Sequence, residues 1–176
     1  MKKKIVFFMP YIQVGGVEKN LFLISNYLSK NNQVYICSGS KKFKRNFNRE
    51  IRFISPKKNL NNTLSIKIHY LVCIILLLKF LIQNKDSLVF TFQGNIYCVL
   101  LCKILNIKVI ARSNSSPKGW RHNFLKKMLY TFIMSKADLI VVNSKTFKKE
   151  MKYLYNLQSK CIYNPLNIND IKIKSK

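Results

Sequence analysis

Two adjacent glycines near the N-terminus have the residue type and position of a ligand-binding loop. Gly15 and Gly16 follow an apolar run at residues 4–9 and precede a segment with helical periodicity. Two glycines let a backbone turn tightly and come close to a ligand, and a helix behind them directs free N–H groups outward, where anions are favoured. A purely structural turn explains the pair equally well, and the pair does not match the Gly-x-Gly-x-x-Gly fingerprint of nicotinamide dinucleotide sites. This loop is therefore a candidate anion site.

Two further polar loops offer hydrogen-bonding groups where apolar segments end. Gln93 and Gly94 combine an amide with a glycine. Arg112, Ser113 and Asn114 supply a fixed cation and hydrogen-bonding groups that suit hydroxyls and a phosphate. A polar loop that caps the following helix is the competing interpretation of the second set.

Other polar residues have simpler structural explanations. Ser144 has the position of a helix N-cap, and ligand contact is the less favoured interpretation. His69 lies in an apolar helical segment and indicates a core or surface histidine. His122, just past the Arg112 loop, is either a surface residue or one that reaches the same cleft. The sequence singles out no catalytic residue.

The five cysteines indicate buried thiols. They are an odd number with no repeated spacing, and four of them lie within apolar runs. Cys98 and Cys102 are one helical turn apart, but no second Cys or His pair lies nearby, so no metal site is expected. A reducing cytosol is the matching compartment.

Short apolar runs alternate with helical patterns along the chain. The run at residues 4–9 is rich in β-branched and aromatic residues, as in a strand buried on both faces. We predict strands at 4–9, 33–37, 51–55, 88–92, 108–111, 139–142 and 160–163, and helices at 17–28, 64–82, 96–105, 120–134 and 145–155. This alternation indicates βαβ units, so the expected fold class is α/β, a Rossmann-like parallel sheet with helices on both faces. The domain fills residues 1–165, and a basic tail follows at 166–176. Ligands of such a sheet bind beyond the C-terminal ends of its strands, where the polar loops lie.

The charge balance is strongly positive. The 176 residues include 32 Lys+Arg and 6 Asp+Glu, a formal net charge of +26, while 48% of the residues are apolar. Such a field attracts any polyanion, but no recognised nucleic-acid motif is present, and the composition of an AT-rich genome also enriches lysine. Aromatic and apolar residues mixed into the basic segments fit anionic lipid headgroups with a shallow apolar contact.

No secretory or membrane-spanning segment is expected. The first nine residues imitate a signal peptide, with a basic head and an apolar middle, but no small-x-small cleavage site follows Pro10. The most apolar stretch, residues 70–82, has about 13 residues, whereas a membrane span needs roughly 20. We therefore expect a buried or interfacial helix there.

Three motifs, in this order along nearly the whole chain, resemble one enzyme family. They are Gly15-Gly16-Val17-Glu18 with the Ser25-Asn26-Tyr27-Leu28 helix, Ala137-Asp138 running into Asn143-Ser144-Lys145, and Cys161-Ile162-Tyr163-Asn164-Pro165 with Asn167. Together they resemble the N-terminal half of family 4 glycosyltransferases of the GT-B fold.

The resemblance implies a sugar transferase whose N-terminal half mostly holds the acceptor, while a second Rossmann-like half binds the nucleotide-sugar donor. The glycine pair matches the loop that approaches the donor diphosphate and the transferred sugar. Glu18 matches a frequent acidic residue beside it, whose simpler role is to favour the helix dipole. The Arg112 loop lies where several relatives carry a histidine near the sugar ring, and this chain has none there. The residues expected near donor or substrate are Gly15, Gly16, Glu18, Gln93, Gly94, Arg112, Ser113, Asn114 and Ser144.

The expected function is the N-terminal half of a retaining hexosyltransferase that acts on a glycan or lipid-linked acceptor in bacterial surface polysaccharide synthesis. The nucleotide sugar is a co-substrate, and no cofactor and no specific nucleic acid are expected. We expect no donor-binding segment after Pro165, either because the sequence is truncated or because a separate partner chain supplies that half, so the isolated chain is expected to be inactive. Lipid-linked acceptors imply a cytoplasmic protein, peripheral at the inner face of the cell membrane. The alternative is a non-enzymatic remnant or partner subunit that binds anionic membrane or nucleic acid through its charge.

Overall fold

The structure, a computed structural model, describes residues 2–61, 63–120 and 123–166. Its elements are β1 (Lys4–Phe8), α1 (Gly16–Ser29), β2 (Gln33–Cys37), β3 (Arg52–Ile54), α2 (Ile66–Gln83), β4 (Leu88–Thr91), α3 (Asn95–Ile104), β5 (Lys108–Ser113), α4 (Phe124–Met134), β6 (Leu139–Val142), α5 (Lys145–Tyr155) and β7 (Lys160–Cys161). Single 3₁₀ turns lie at Lys44–Asn46 and Pro117–Trp120. The basic tail expected from residue 166 lies, apart from Leu166, outside the described residues.

The seven strands of the described ranges form one parallel sheet in the order β3-β2-β1-β4-β5-β6-β7. Ile5 of β1 aligns with Val34 of β2 on one side and with Leu88 of β4 on the other. The Rossmann-like α/β fold predicted from the sequence is confirmed. Strand order reverses between β1 and β4, so the crevice beyond the C-terminal ends of these two strands is the position where such sheets bind ligands.

Side chains of β1 alternate between two cores. Val6 and Phe8 pack in the larger core with apolar residues of α2, α3, α4 and α5. Ile5 and Phe7 pack in the smaller core, which includes Leu21 of α1. One helix therefore covers one face of the sheet and four helices cover the other, because right-handed crossovers place a helix according to the direction in which the chain moves across the sheet.

The start of α4 is the largest difference from the predicted boundaries. The helix begins at Phe124, four residues later than predicted, because the Asn123 side chain caps it by accepting a hydrogen bond from the Leu125 N–H at 2.9 Å. Residues 117–120 instead form the 3₁₀ turn. The last strand is also shorter than predicted, since β7 pairs with β6 only at Lys160 and Cys161.

The apolar helix α2 lies within two residues of its predicted bounds and extends beyond the most apolar stretch at residues 70–82. It spans 18 residues, and a stripe formed by His69, Cys73, Leu77 and Leu81 is buried. Its mean hydropathy is 2.0 and 22% of its length is buried. By length and composition alone, it is the one helix among the described residues that could cross a membrane. The buried stripe packs its inner side into the larger core, and the other sides are largely uncovered.

The cysteine thiols belong to the cores. Cys37, Cys73, Cys98 and Cys102 are buried, and Cys161 is half-buried. Burial raises the pKa of Cys37 and of Cys98, so these thiols stay protonated near neutral pH. Among the residues that the structure describes, no group of three His, Cys, Asp or Glu side chains is placed to hold a metal ion.

Asp138 joins β5 to the start of β6. Its Oδ2 accepts hydrogen bonds of 2.8 Å from the backbone N–H of Val109 and from Lys103 Nζ. Partial burial raises the pKa of Asp138, but these hydrogen bonds outweigh burial and hold the pKa below its usual range. A depressed carboxyl pKa contributes stability above the unfolded value of about 3.9, and this stability is lost as the pH falls through the folded value.

We therefore expect Asp138→Asn to lower the free energy of unfolding by about 1 kcal/mol at pH 7 and by much less at pH 3. Urea denaturation of both proteins at the two pH values measures the difference. Asp86→Asn is the matched control, because the Asp86 carboxylate accepts a hydrogen bond from Lys4 and its side chain is 63% exposed. If Asp138→Asn changes the free energy of unfolding equally at pH 3 and pH 7, the Asp138 carboxylate does not stabilise the fold through its charge.

Candidate functional site

The glycine loop lies at the C-terminal end of β1, as predicted, but for a different structural reason. Gly15 is the N-cap of α1 with extended backbone (φ −169°), so no left-handed conformation requires glycine there. A Cβ on Gly15 would lie 2.6 Å from Glu18 Oε2, whereas a Cβ on Gly16 would meet nothing within 4 Å. Glycine at position 15 is therefore explained by space rather than by backbone conformation, and the choice between a ligand loop and a structural turn stays a prediction. Gly15 leaves room for the Glu18 side chain, and the space above Gly16 is open.

Glu18, in the first turn of α1, contacts the backbone of the glycine loop. Its side chain is buried, and Oε1 accepts a hydrogen bond of 3.4 Å from the backbone N–H of Gln13. A carboxylate at this position also interacts favourably with the positive end of the helix dipole. The first N–H groups of α1 have no partner within the helix, so they remain donors toward the loop.

A cavity of about 710 Å³ opens beside the glycine loop. Its lining combines the backbone of Gly15 and Gly16 and the Lys19 side chain with apolar residues of α1 and of the segment after β2. Asn164 and Pro165, from the segment after β7, close its far side. The cavity therefore lies between the first helix and the point where the described chain leaves the sheet.

The second predicted loop forms a hydrogen-bonded bridge between strands β1, β4 and β5. The Gln93 Oε1 accepts from the Tyr11 N–H at 3.2 Å, which ties the loop to the end of β1. The Thr91 hydroxyl lies 3.0 Å from Asn95 Oδ1, and Asn95 Nδ2 donates to the Arg112 carbonyl at 2.9 Å. Gly94 has φ +62°, a left-handed conformation that favours glycine, and it begins α3.

Arg112 is a buried cation at the end of β5. Its side chain is 2% exposed and its guanidinium lies 5.2 Å from the centre of the Phe92 ring. The Nε donates to Asn114 Oδ1 at 2.9 Å, and Nη2 donates to Asn164 Oδ1 at 2.6 Å. Burial lowers the pKa of Arg112, yet a guanidinium stays charged at neutral pH. The ion pairs found between described residues involve lysines only, so amide oxygens rather than a carboxylate balance this charge.

A second cavity of about 570 Å³ opens at the ends of β4 and β5, between α3 and α4. It is lined by five of the residues predicted from the sequence, Gln93, Gly94, Arg112, Ser113 and Asn114. The sequence interpretation missed the rest of its lining, which includes Tyr70, Tyr97, Leu129, Tyr130 and Lys126. Lys126 was assigned only to a basic cluster, and no sequence pattern could reveal that packing of α3 against α4 brings it to this cavity.

The remaining candidates do not join either cavity. Ser144 caps α5 by accepting a hydrogen bond of 3.0 Å from the Phe147 N–H, as its helix-cap interpretation predicted. His69 is buried, with Nε2 at 3.2 Å from the Asn61 carbonyl and its ring 4.9 Å from the ring centre of Tyr11. It is therefore a core histidine, one of the two predicted alternatives. His122 lies outside the described residues.

Solved glycosyltransferase structures have the same architecture over about half of their length. The chain matches the structure of Anabaena HepE in complex with UDP-glucose at a TM-score of 0.66 and 15% identity, over 94% of this chain and 45% of that one. A glycosyltransferase from Rickettsia africae matches at a TM-score of 0.66 and 20% identity, over 96% and 44% of the two chains. Phytolacca americana UGT2, complexed with UDP-2fluoro-glucose and pterostilbene, matches at 0.60 and 11%, over 100% and 57%. A search of curated protein sequences finds no significant match.

These likenesses and the parallel sheet with its loops at the switch point define one Rossmann-like half of a GT-B glycosyltransferase fold. The family model for Glycosyltransferase Family 4 matches residues 14–170, and the chain belongs to this family. The resemblance seen in the sequence motifs is thereby confirmed. The chain spans about 45% of the length of HepE and of the Rickettsia enzyme.

Proposed function

We propose that this chain is the acceptor-side half of a retaining glycosyltransferase that moves a hexose or related sugar to a glycan or lipid-linked acceptor in bacterial surface polysaccharide synthesis. The observation that carries the proposal is the open space above Gly16, at the end of β1 and beside a cavity of about 710 Å³. The fold itself does not need glycine at this position. The bare backbone there leaves room for a ligand to approach closely.

The donor that we propose is a uridine diphosphate sugar, because the HepE structure contains UDP-glucose. The nucleotide sugar acts as a co-substrate. Its diphosphate would lie against the free N–H groups at the start of α1, with the Lys19 ammonium at the same cavity. These donors would stabilise the negative charge that develops on the departing diphosphate.

The acceptor that we propose occupies the second cavity. Gln93, Ser113 and Asn114 offer hydrogen bonds to hydroxyl groups, and the tyrosine rings offer apolar surface with a polar tip. Lys126 places an ammonium at the same cavity, which suits the phosphate of a lipid-linked acceptor. This combination favours a sugar carried on a lipid phosphate over a purely apolar acceptor.

The base of the nucleotide requires groups that the described residues do not gather in either cavity. We propose that a second Rossmann-like half, on the same chain or a separate one, supplies them across the crevice at the switch point. Asn164, held by Arg112, then begins the link that sets the two halves in register.

The test of this function joins the chain to a donor-binding half. We expect the isolated 176-residue chain to release no sugar from UDP-glucose above the rate in buffer, because the described residues gather no base-binding groups in either cavity. A fusion with the donor half of the Rickettsia africae enzyme, joined after Pro165, is expected to transfer sugar from radiolabelled nucleotide sugars to polyprenyl-phosphate-linked or glycan acceptors.

The donor half alone is the control, and it should bind nucleotide sugar without transferring it. Steady sugar release by the isolated chain would contradict the need for a second half. A fusion that folds and binds nucleotide sugar but transfers it to neither acceptor class would overturn the proposed function and favour the non-enzymatic alternative.

A further inference from the structure

Four helices on one side of the sheet expose large apolar side chains to solvent. Helices α2, α3, α4 and α5 all pack their inner sides into the larger core. Their outer sides carry exposed apolar residues, which we call the α2–α5 face: Leu71 and Ile75 of α2, Leu100 and Ile104 of α3, Leu125 and Phe132 of α4, and Tyr153 of α5. Ile104 is 73% exposed and Phe132 is 62% exposed. Monomeric soluble proteins rarely leave so extended an apolar surface uncovered, so this face indicates an interaction surface.

The same four helices are strongly basic. They contain nine lysines and one glutamate. That glutamate, Glu150, is turned inward, since its side chain is 12% exposed and Oε2 accepts a hydrogen bond of 2.7 Å from the Ser116 hydroxyl. Lys148 and Lys149 are exposed on α5, the helix whose Tyr153 lines a groove together with Phe132 of α4. The outer surface of these helices therefore combines exposed apolar side chains with lysines, and it has no exposed carboxylate.

We propose that the α2–α5 face docks on the surface of an anionic lipid bilayer. A bilayer interface supplies both partners that this face requires, since anionic headgroups attract the lysines while the acyl boundary accepts leucine, isoleucine and phenylalanine. A nucleic acid would match the charge but leave the apolar residues uncovered. A second copy of the chain would cover the apolar residues but bring two lysine-rich surfaces together.

The packing of α2 indicates contact along the bilayer surface rather than insertion across it. His69, Cys73, Leu77 and Leu81 hold the inner stripe of this helix in the core of the sheet. Only the outer stripe, which includes Leu71 and Ile75, is free to enter the interface. The helix therefore lies in the interface with its sheet attached.

Docking would also bring one cavity to the membrane. Tyr97 and Leu129 line the second cavity, and both are more than half exposed on the same helices. A lipid-linked acceptor could then reach the cavity without leaving the bilayer. This consequence rests on the proposed function, whereas the docking itself does not.

The experiment measures co-sedimentation of the full chain with vesicles of phosphatidylglycerol and phosphatidylcholine, or of phosphatidylcholine alone, without nucleotide sugar. We expect binding to the anionic vesicles only, and a strong loss between 0.1 M and 1 M salt as the Debye length falls from about 10 Å to about 3 Å. Lys148→Gln with Lys149→Gln should weaken binding on the order of 30-fold, because each lysine near an anionic surface contributes about fivefold. Phe132→Ser should weaken it about tenfold by removing one inserted aromatic side chain.

Matched controls lie on the opposite side of the sheet. Lys41→Gln with Lys42→Gln removes the same charge from exposed positions beside the smaller core, and Tyr27→Ser removes an aromatic side chain that is 71% exposed on α1. Both should bind vesicles like the native chain, and circular dichroism should show that every variant is folded.

Three outcomes would overturn docking. One is equal binding to neutral and anionic vesicles, and another is equal loss from the two lysine pairs. The third combines two results. Phe132→Ser binds anionic vesicles normally, and the Lys148 and Lys149 changes weaken binding to vesicles and binding to duplex DNA by the same factor. That outcome would identify a general polyanion-binding surface. The experiment measures no sugar transfer. A failure of membrane docking therefore leaves the proposed function standing, and a failure of the proposed function leaves membrane docking standing.

Discussion

Replacing Gly16 with valine is expected to lower sugar transfer by the fused two-half enzyme by about 100-fold or more, while the fold remains intact. Apart from its chain neighbours and the backbone of its own helix, no described atom lies within 4 Å of the position that a Cβ would take, so the first atom of a side chain there meets no packed neighbour. The free energy of unfolding should change by less than about 1 kcal/mol, since valine and glycine have similar helix propensities. The isopropyl group would instead fill the space through which the proposed diphosphate approaches the start of α1.

Initial rates of transfer and urea denaturation, measured on the same preparations, separate the two effects. Gly16→Ala is the graded control, because its single methyl group should give a loss between those of the native enzyme and Gly16→Val. Gly39→Val provides the opposite pattern, since a Cβ there would lie 2.6 Å from His69 Nδ1 and 3.2 Å from the Pro10 carbonyl, and the variant should lose stability. Turnover unaffected by Gly16→Val would identify the glycine loop as a turn without contact to the donor.

The periodicity of the sequence predicted the elements because burial in this fold follows regular patterns. Strands β2 and β6 and helix α5 have the predicted bounds, since each is an apolar run or a helical repeat bounded by turn residues. The predicted element boundaries differ from the structure where a local contact sets the boundary. The Asn123 cap begins α4, and pairing with β6 limits β7 to two residues.

The candidate site was predictable in its location but not in its contacts. The three polar loops do lie at the C-terminal ends of their strands, since parallel topology requires it. The hydrogen bond from Arg112 to Asn164 joins residues 52 positions apart, and no local pattern encodes such a pair. Residue type alone did not reveal that Gly15 has an extended backbone and leaves room for the Glu18 side chain. Of the glycines in the candidate loops, Gly94 is the one with positive φ.

Arg112→Met is expected to separate stability from activity. A buried guanidinium without a carboxylate partner carries a desolvation cost, and methionine of similar length removes it. The two amides that lose their partner, Asn114 and Asn164, are partly or fully exposed, so water can replace the lost hydrogen bonds. The free energy of unfolding should therefore stay level or rise by about 1 kcal/mol, within the range found when buried charges are replaced by apolar residues.

Sugar transfer by the same variant should fall by about 100-fold, because Arg112 holds Asn164 at the start of the proposed link to the donor half. Arg112→Lys distinguishes charge from geometry. The lysine ammonium keeps the charge but lacks the planar guanidinium that donates to Asn114 and Asn164 together. We therefore expect Arg112→Lys to lose almost as much sugar-transfer activity as Arg112→Met. Arg49→Met, at an exposed position, is the surface control and should change neither quantity. Destabilisation of Arg112→Met by about 3 kcal/mol with full transfer by the folded fraction would instead assign this arginine to the fold alone.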